Sequence, residues 1–149
     1  MALREVVQVG NDVLRKVSKP VTVFDSKLED LIDDMWETMY ANNGMGLAAP
    51  QVGVLKRVVV MDVNEMKLEL INPEIIASSG SDIEKEGCLS CGKIKGCVER
   101  PMNVTVKAQD RYGYHFTITG EKYLARCLCH EIDHLNGILF IDKMIKDNK

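Results

Sequence analysis

The sequence predicts an α+β fold, with antiparallel or mixed sheets packed around a C-terminal helix and further helices near the N-terminus. Two apolar stripes at 3- and 4-residue spacing mark the helices. One runs through Leu28, Leu31, Ile32, Met35, Met39 and Tyr40, the other through Leu124, Cys127, Leu128, Ile132 and Leu135. Between them lie β-branched runs and alternations of apolar and polar residues. Helices that flank the strands, instead of alternating with them, disfavour a succession of βαβ units.

Asn11 is expected to cap a short helix that ends before Pro20, because proline disfavours helical geometry in the residue before it. The first long helix opens on a capping box, Ser26 with Glu29 three residues later, and stops at Asn42-Asn43-Gly44. Val58–Val63 is largely β-branched and apolar, the mark of a buried strand. Residues 67–71 alternate like a half-buried strand, and Asn72-Pro73 is expected to end it. Val104, Val106 and Ala108 alternate with polar partners, and residues 110–113 turn the chain into 114–118, a hairpin. Helical spacing returns over 121–136, with Gly137 as the natural C-cap.

At 149 residues, one domain spanning 1–149 is expected, long enough to bury about two-thirds of its unfolded surface. Lys plus Arg total 19 against 22 Asp plus Glu, a net charge of −3, which excludes a nucleic-acid binder that relies on a basic footprint. The longest apolar runs, such as 58–61 and 138–141, are four residues, whereas a membrane span needs about twenty. Arg4 and Glu5 stand where a secretory signal would be apolar, so a cytoplasmic location is expected. In that reducing setting Cys88, Cys91, Cys97, Cys127 and Cys129 read as ligands, catalytic groups or small core residues before disulfides.

His130-Glu131-Ile132-Asp133-His134 is the strongest chemical signal. Helical residues four apart differ by about 40° in azimuth, so both imidazoles leave one face and can share a metal ion. Glu131 can reach a water at that ion without being a ligand, the arrangement of a metal-assisted hydrolase. Two histidines alone do not complete a site, since a catalytic centre usually has three protein ligands and an open position. His115 in the predicted hairpin is one candidate for the third, with a surface residue as its bland reading. Cysteines are better ones. Cys88 stands in Glu86-Gly-Cys-Leu-Ser90, where Gly87 suggests close backbone approach, and Cys91, Cys127 and Cys129 lie near in sequence. Cys127 reads better as a core residue on the Leu124/Leu128 stripe. A closed structural zinc site from Cys88, Cys91 and two of Cys127, Cys129, His130 and His134 competes, but such a site has no need of Glu131. Gly44-Met-Gly-Leu-Ala-Ala-Pro-Gln51 allows close backbone approach but lacks the lysine and hydroxyl of a phosphate-binding loop. Gln51 offers an amide donor suited to an oxyanion.

Taken together, 44–51, 86–90 and 130–135 resemble peptide deformylase, whose members carry Gly-x-Gly-x-Ala-Ala-x-Gln, Glu-Gly-Cys-x-Ser and His-Glu-x-x-Asp-His-Leu in that order. The flanks at 13–21 and 137–142 are also similar, so the likeness covers nearly the whole chain. It implies a metalloenzyme that removes the N-formyl group from the initiator methionine of nascent chains and releases formate. By that resemblance Cys88, His130 and His134 hold one divalent ion, natively iron(II), with nickel, cobalt or zinc as alternatives. Glu131 becomes the general acid/base, while Gln51 and the Leu89 backbone N–H stabilise the oxyanion. The formyl-methionyl peptide pairs with Met45 and Gly46 and passes Gly87. Met45, Leu128 and Ile132 are candidates for its methionine pocket, with core packing as the alternative.

The sequence also departs from the family. Cys91-Gly92 replaces an apolar residue and proline, which puts a second thiol within reach of Cys88 under oxidation. Cys129 stands where glutamine is usual, and Arg100 matches an arginine that could pair with Glu86. Many members continue into a C-terminal helix implicated in ribosome docking. Here the chain ends soon after Asp142 and offers only Lys143, Lys146 and Lys149, which leaves ribosome contact open. A monomer is expected. A peptide-bond metalloprotease, with His or Glu as third ligand, and a structural-zinc interaction module are the competing readings.

Overall fold

The computed structural model describes residues 2–145, so Lys146 and Lys149 of the C-terminal stretch lie outside the described residues. The elements run α1 (Ser26–Ala41), β1 (Gly46–Ala48), β2 (Val58–Val63), β3 (Met66–Ser79), β4 (Asp82–Glu86), β5 (Gly96–Arg100), β6 (Asn103–Gln109), β7 (His115–Glu121) and α2 (Tyr123–Leu135). One antiparallel sheet has the order β1-β2-β3-β6-β7, and β4 pairs with β5 in a separate ribbon. The α+β expectation holds. No helix among the described residues is long and apolar enough to cross a membrane.

A strand that is apolar on both faces needs cover on both, and β2, whose one polar residue is Asp62, receives it. Val59, Met61 and Val63 face α2 through Ala125, Leu128, Ile132 and Leu135. Val58 and Val60 face α1 through Leu28, Ile32, Met35 and Met39. Each such large side chain, fully buried, contributes about 1.5–3 kcal/mol against conformational entropy. The two apolar stripes of the sequence therefore lie on opposite faces of one sheet, and α2 keeps its remaining side for chemistry.

Several local expectations need correction. Asp25, one residue before Ser26, caps α1 by accepting from the Leu28 N–H at 3.1 Å. The expected helix after Asn11 is a single 3-10 turn, Asp12–Arg15, capped as foreseen by the Asn11 side chain on the Val13 N–H. It stops early because the following chain is pulled straight, with Ser18 N bonded to Leu135 O at 2.8 Å and Lys19 N to Leu55 O at 3.0 Å. Asn72-Pro73 does not end β3. The strand continues to Ser79 through a bulge between Ile71 and Glu74, where proline needs no ladder hydrogen bond. Asn72, at φ 53°, turns its amide onto Val21 N and O at 2.8 and 2.9 Å and so stitches the N-terminal segment to the sheet. The ribbon β4–β5 carried no apolar alternation and was not foreseen.

Helix α2 ends at Leu135 with Asn136 as its C-cap, and Gly137 follows at φ 75° in the left-handed region. A Cβ there would lie 2.5 Å from the carbonyl oxygen of Arg15. Gly137→Ala should therefore cost about 2 kcal/mol or more, read as a lower midpoint of thermal or urea unfolding. An unchanged midpoint would show that the junction relaxes freely.

Candidate active site

One turn of α2 presents His130 and Glu131 to a cavity of about 600 Å³, with His134 buried behind them. Met45 and Gly46 of the β1 edge, Gln51, and the loop after β4 complete its walls. Cys88 stands at the start of a 3-10 turn, Leu89–Cys91, directly beyond β4. Its Sγ lies 3.3 Å from His134 Nε2, and the ligand-type atoms of Cys88, His130 and His134 all fall within 4.8 Å of one another.

His130 is oriented from behind. Its Nδ1–H donates to Glu86 Oε1 at 2.9 Å, which turns Nε2 away from that carboxylate. Burial pushes His134 well below its ordinary pKa, which favours the neutral imidazole. Ligands at about 2.0–2.3 Å from one tetrahedral ion sit roughly 3.3–3.8 Å apart, which the Cys88–His134 spacing satisfies. One sulfur and two imidazoles form a donor set suited to a transition metal. The residues fit such an ion.

Glu131 is 6% exposed, and its Oε1 has no hydrogen-bond partner among the described residues. Burial pushes its carboxyl up to about 7, with Glu86 adding to the rise and His130 opposing it. Its Oε2 fills the space a side chain at position 46 would need, only 2.5 Å from a Cβ placed on Gly46. The glycine admits the carboxylate to the edge of β1. Gln51 is fixed at both ends of its amide: Oε1 accepts from Ala48 N at 3.0 Å, and Nε2 donates to Ser90 Oγ at 3.1 Å and Cys88 Sγ at 3.4 Å.

Met45, Gly46, Gln51, Gly87, Cys88, Leu89, His130 and Glu131 all line the cavity. Leu128 and Ile132 do not; they pack in the core between α2 and the sheet. Cys127, read from sequence as a core residue, packs against that core and also lines the cavity. His115 is exposed on β7, Cys91 packs with Val98 and Phe140, and Cys129 packs on the sheet side of α2. Neither of these two cysteines joins the ligand cluster, so no four-ligand site assembles among the described residues. Arg100 is no solvated arginine: it grips Glu86 at 2.9 and 3.0 Å and Asp133 at 2.6 Å. The sequence reading missed Arg126, whose Nη1 donates to Glu86 at 2.5 Å, and the hold of Glu86 on His130. Arg126 and His130 are four residues apart on α2, the one signal that could have placed them together.

The family model described as polypeptide deformylase matches residues 3–149. The chain belongs to the peptide deformylase family. It is 57% identical over 146 residues to a peptide deformylase of Caldicellulosiruptor bescii, covering 98% of this chain and 88% of that one. The crystal structure of peptide deformylase from Thermotoga maritima superposes with a TM-score of 0.96 at 43% identity, covering 98% of this chain and 100% of that one. That of the Ehrlichia chaffeensis enzyme in complex with actinonin gives 0.95 at 40%, covering 98% and 91%. Peptide deformylases are metalloenzymes that remove the N-formyl group from nascent peptides, and the chain shares that activity. For a deformylase, the contact between Gly46 and Glu131 is a sensitive point. Gly46→Ala should lower formate release about 100-fold by displacing the carboxylate, with metal content and unfolding midpoint near wild type. Activity within threefold of wild type would show that Glu131 has room to move.

Proposed function

We propose that Cys88, His130 and His134 hold the ion of this deformylase, and that Glu131, Gln51 and Leu89 carry the reaction around it. The convergence of the three donor atoms beside an unpartnered buried carboxylate carries this reading. When bound, a divalent ion supplies Lewis acidity toward the formyl carbonyl and lowers the pKa of a water. Glu131, aimed at the same space and near neutrality in pKa, takes the proton of the attacking water and returns it to the departing amine. The Gln51 amide hydrogen that now points to Cys88 Sγ, at a weak 3.4 Å, is the donor for the developing oxyanion. Leu89 opens its 3-10 turn, and the first N–H of a helical turn has no partner within it, so it can share that charge.

The formyl-methionyl peptide adds as a strand. β1 lies at the edge of the sheet, and Met45 O accepts from Asp62 N at 2.8 Å on the β2 side. By the alternation of an antiparallel ladder, the N–H and C=O of Gly46 then turn to the open edge. The neighbouring outward N–H, that of Ala48, is already taken by Gln51, which leaves Gly46 to pair with the substrate. Gly87 lines the opposite wall, and Cys127 and Tyr123 offer the methionine side chain a partly apolar pocket. Iron(II) is the native ion on this reading, with nickel, cobalt or zinc able to occupy the same sulfur and nitrogen donors. One catalytic domain over 1–149, acting as a cytoplasmic monomer on nascent chains, completes this reading; the family match over residues 3–149 supports the single domain.

Two experiments test these roles. In oxygen-free preparations, Glu131→Gln should lower formate release from formyl-Met-Ala-Ser about 1000-fold with a full complement of metal. Near-wild-type release would remove Glu131 from the mechanism. Removal of the ion by 1,10-phenanthroline should stop the reaction, and iron(II) or nickel(II) should restore it in wild type but not in Cys88→Ala. Full restoration of that variant would exclude Cys88 as a ligand.

A further inference from the structure

The cavity is too large for one methionine side chain, and its charges are unevenly spent. Five charged side chains line it: Lys85, Lys95, Arg126, Glu86 and Glu131. Arg126 and Glu86 neutralise each other in the buried wall, where Arg126 also donates to the carbonyl oxygens of Asp82 and Val98 at 2.8 and 2.9 Å. Glu131 lies at the base, nearly excluded from solvent. The two exposed charges are both cations, and neither Lys85 nor Lys95 forms an ion pair or hydrogen bond among the described residues.

Both lysines come from the ribbon that delivers Cys88. Lys85 is on β4, and Lys95 ends the loop that leads into β5. The Lys95 ammonium folds back over Gly87, only 2.5 Å from where a Cβ on that glycine would stand, and so beside the proposed ligand Cys88. The next carboxylate along the Lys85 face of the ribbon is Glu99, two cross-strand pairs away, where the Ser81 hydroxyl bonds it. Glu99 does not line the cavity. A peptide running along β1 would enter the cavity that Gly46, Lys85 and Lys95 line together.

We propose that Lys85 and Lys95 give the enzyme a charge preference beyond the formyl-methionine: they favour peptides with a carboxylate side chain at the second or third residue. This rests on the peptide lying along β1. The chain as a whole, at −3, would repel such peptides, so a preference for them reports the local cations alone. Each exposed lysine contributes a modest attraction, and salt screens it.

The test compares kcat/KM for formate release from formyl-Met-Glu-Glu amide, formyl-Met-Gln-Gln amide and formyl-Met-Lys-Lys amide. Amidation removes the terminal carboxylate, so only side-chain charge differs. At low salt the Glu-Glu peptide should exceed the Lys-Lys peptide about tenfold, with Gln-Gln between them. The ratio should fall toward one at about 0.5 M salt and invert in the Lys85→Glu/Lys95→Glu double variant. Lys85→Met/Lys95→Met should bring it close to one. Because each ratio is taken on a single enzyme preparation, incomplete folding or metal loading cancels. A wild-type ratio near one, or one unchanged in the charge-reversed variant, would overturn the inference while leaving deformylation intact. Failure of all three peptides to release formate would instead strike at the reading on which it rests.

Discussion

Glu86 is 7% exposed and yet carries a charge on which the site turns. Burial alone raises a carboxyl pKa, but the hydrogen bonds from His130 and Arg100 more than reverse this and hold it down to about 2. Its Oε1 faces His130 and Arg100; its Oε2 takes Arg100 and Arg126. The carboxylate thereby ties the β4–β5 ribbon, which carries Glu86 and Arg100, to α2, which carries Arg126 and His130. Arg100 reaches on to Asp133, and Lys143 joins that carboxylate at 3.0 Å. A network of this kind is stringent: removal of one partner strands a buried charge, a loss of about 3–5 kcal/mol in comparable cases. Its effect on chemistry is geometric, since the bond to His130 Nδ1 fixes the direction of one imidazole.

Helix α2 serves two masters with one set of side chains. Ala125, Leu128, Cys129, Ile132 and Leu135 seal the sheet, while Cys127, His130 and Glu131 look to the cavity. The two faces are interleaved at helical spacing, so the packing that stabilises the fold also sets the azimuth of the reactive groups. β1 is only three residues long but does comparable work at the other wall. Its Gly46 leaves space for a carboxylate, and its outer edge stays unpaired for an extended chain.

Much of this was legible in the sequence because each signal had its own period. The α1 stripe up to Met39, the α2 stripe, the run at β2 and the alternation at β6 each matched the burial they produce, whereas Tyr40 at the end of the α1 stripe is exposed. The three motif segments likewise pointed to residues that the fold brings together around one cavity. The failures have physical causes. Asn72-Pro73 reads as a stop because proline cannot donate to a ladder, yet at a bulge no such bond is needed, and the Asn72 amide supplies bonds to Val21 instead. The β4–β5 ribbon has Val98 as its fully buried apolar residue, so no alternation announced it. Leu128 and Ile132 share the helix with the histidines but point to the sheet, whereas Cys127 turns to the cavity; composition does not separate them, and azimuth does. The grip of Arg126 on Glu86 spans 40 positions and exists only once the chain has folded.

The proposed ligands come from two segments that share no backbone hydrogen-bond ladder. Cys88 and His134 lie 46 positions apart, one beyond a two-stranded ribbon, the other on a helix packed against the main sheet. An ion held between them is a removable cross-link that closes a long chain loop, and the entropy of that closure appears as stability of the loaded protein. Metal occupancy would thus add to the hold that the Glu86 network already gives the ribbon on α2. Without the ion, the ribbon keeps its place on α2 through Glu86, and the loop that carries Cys88 loses one of its anchors.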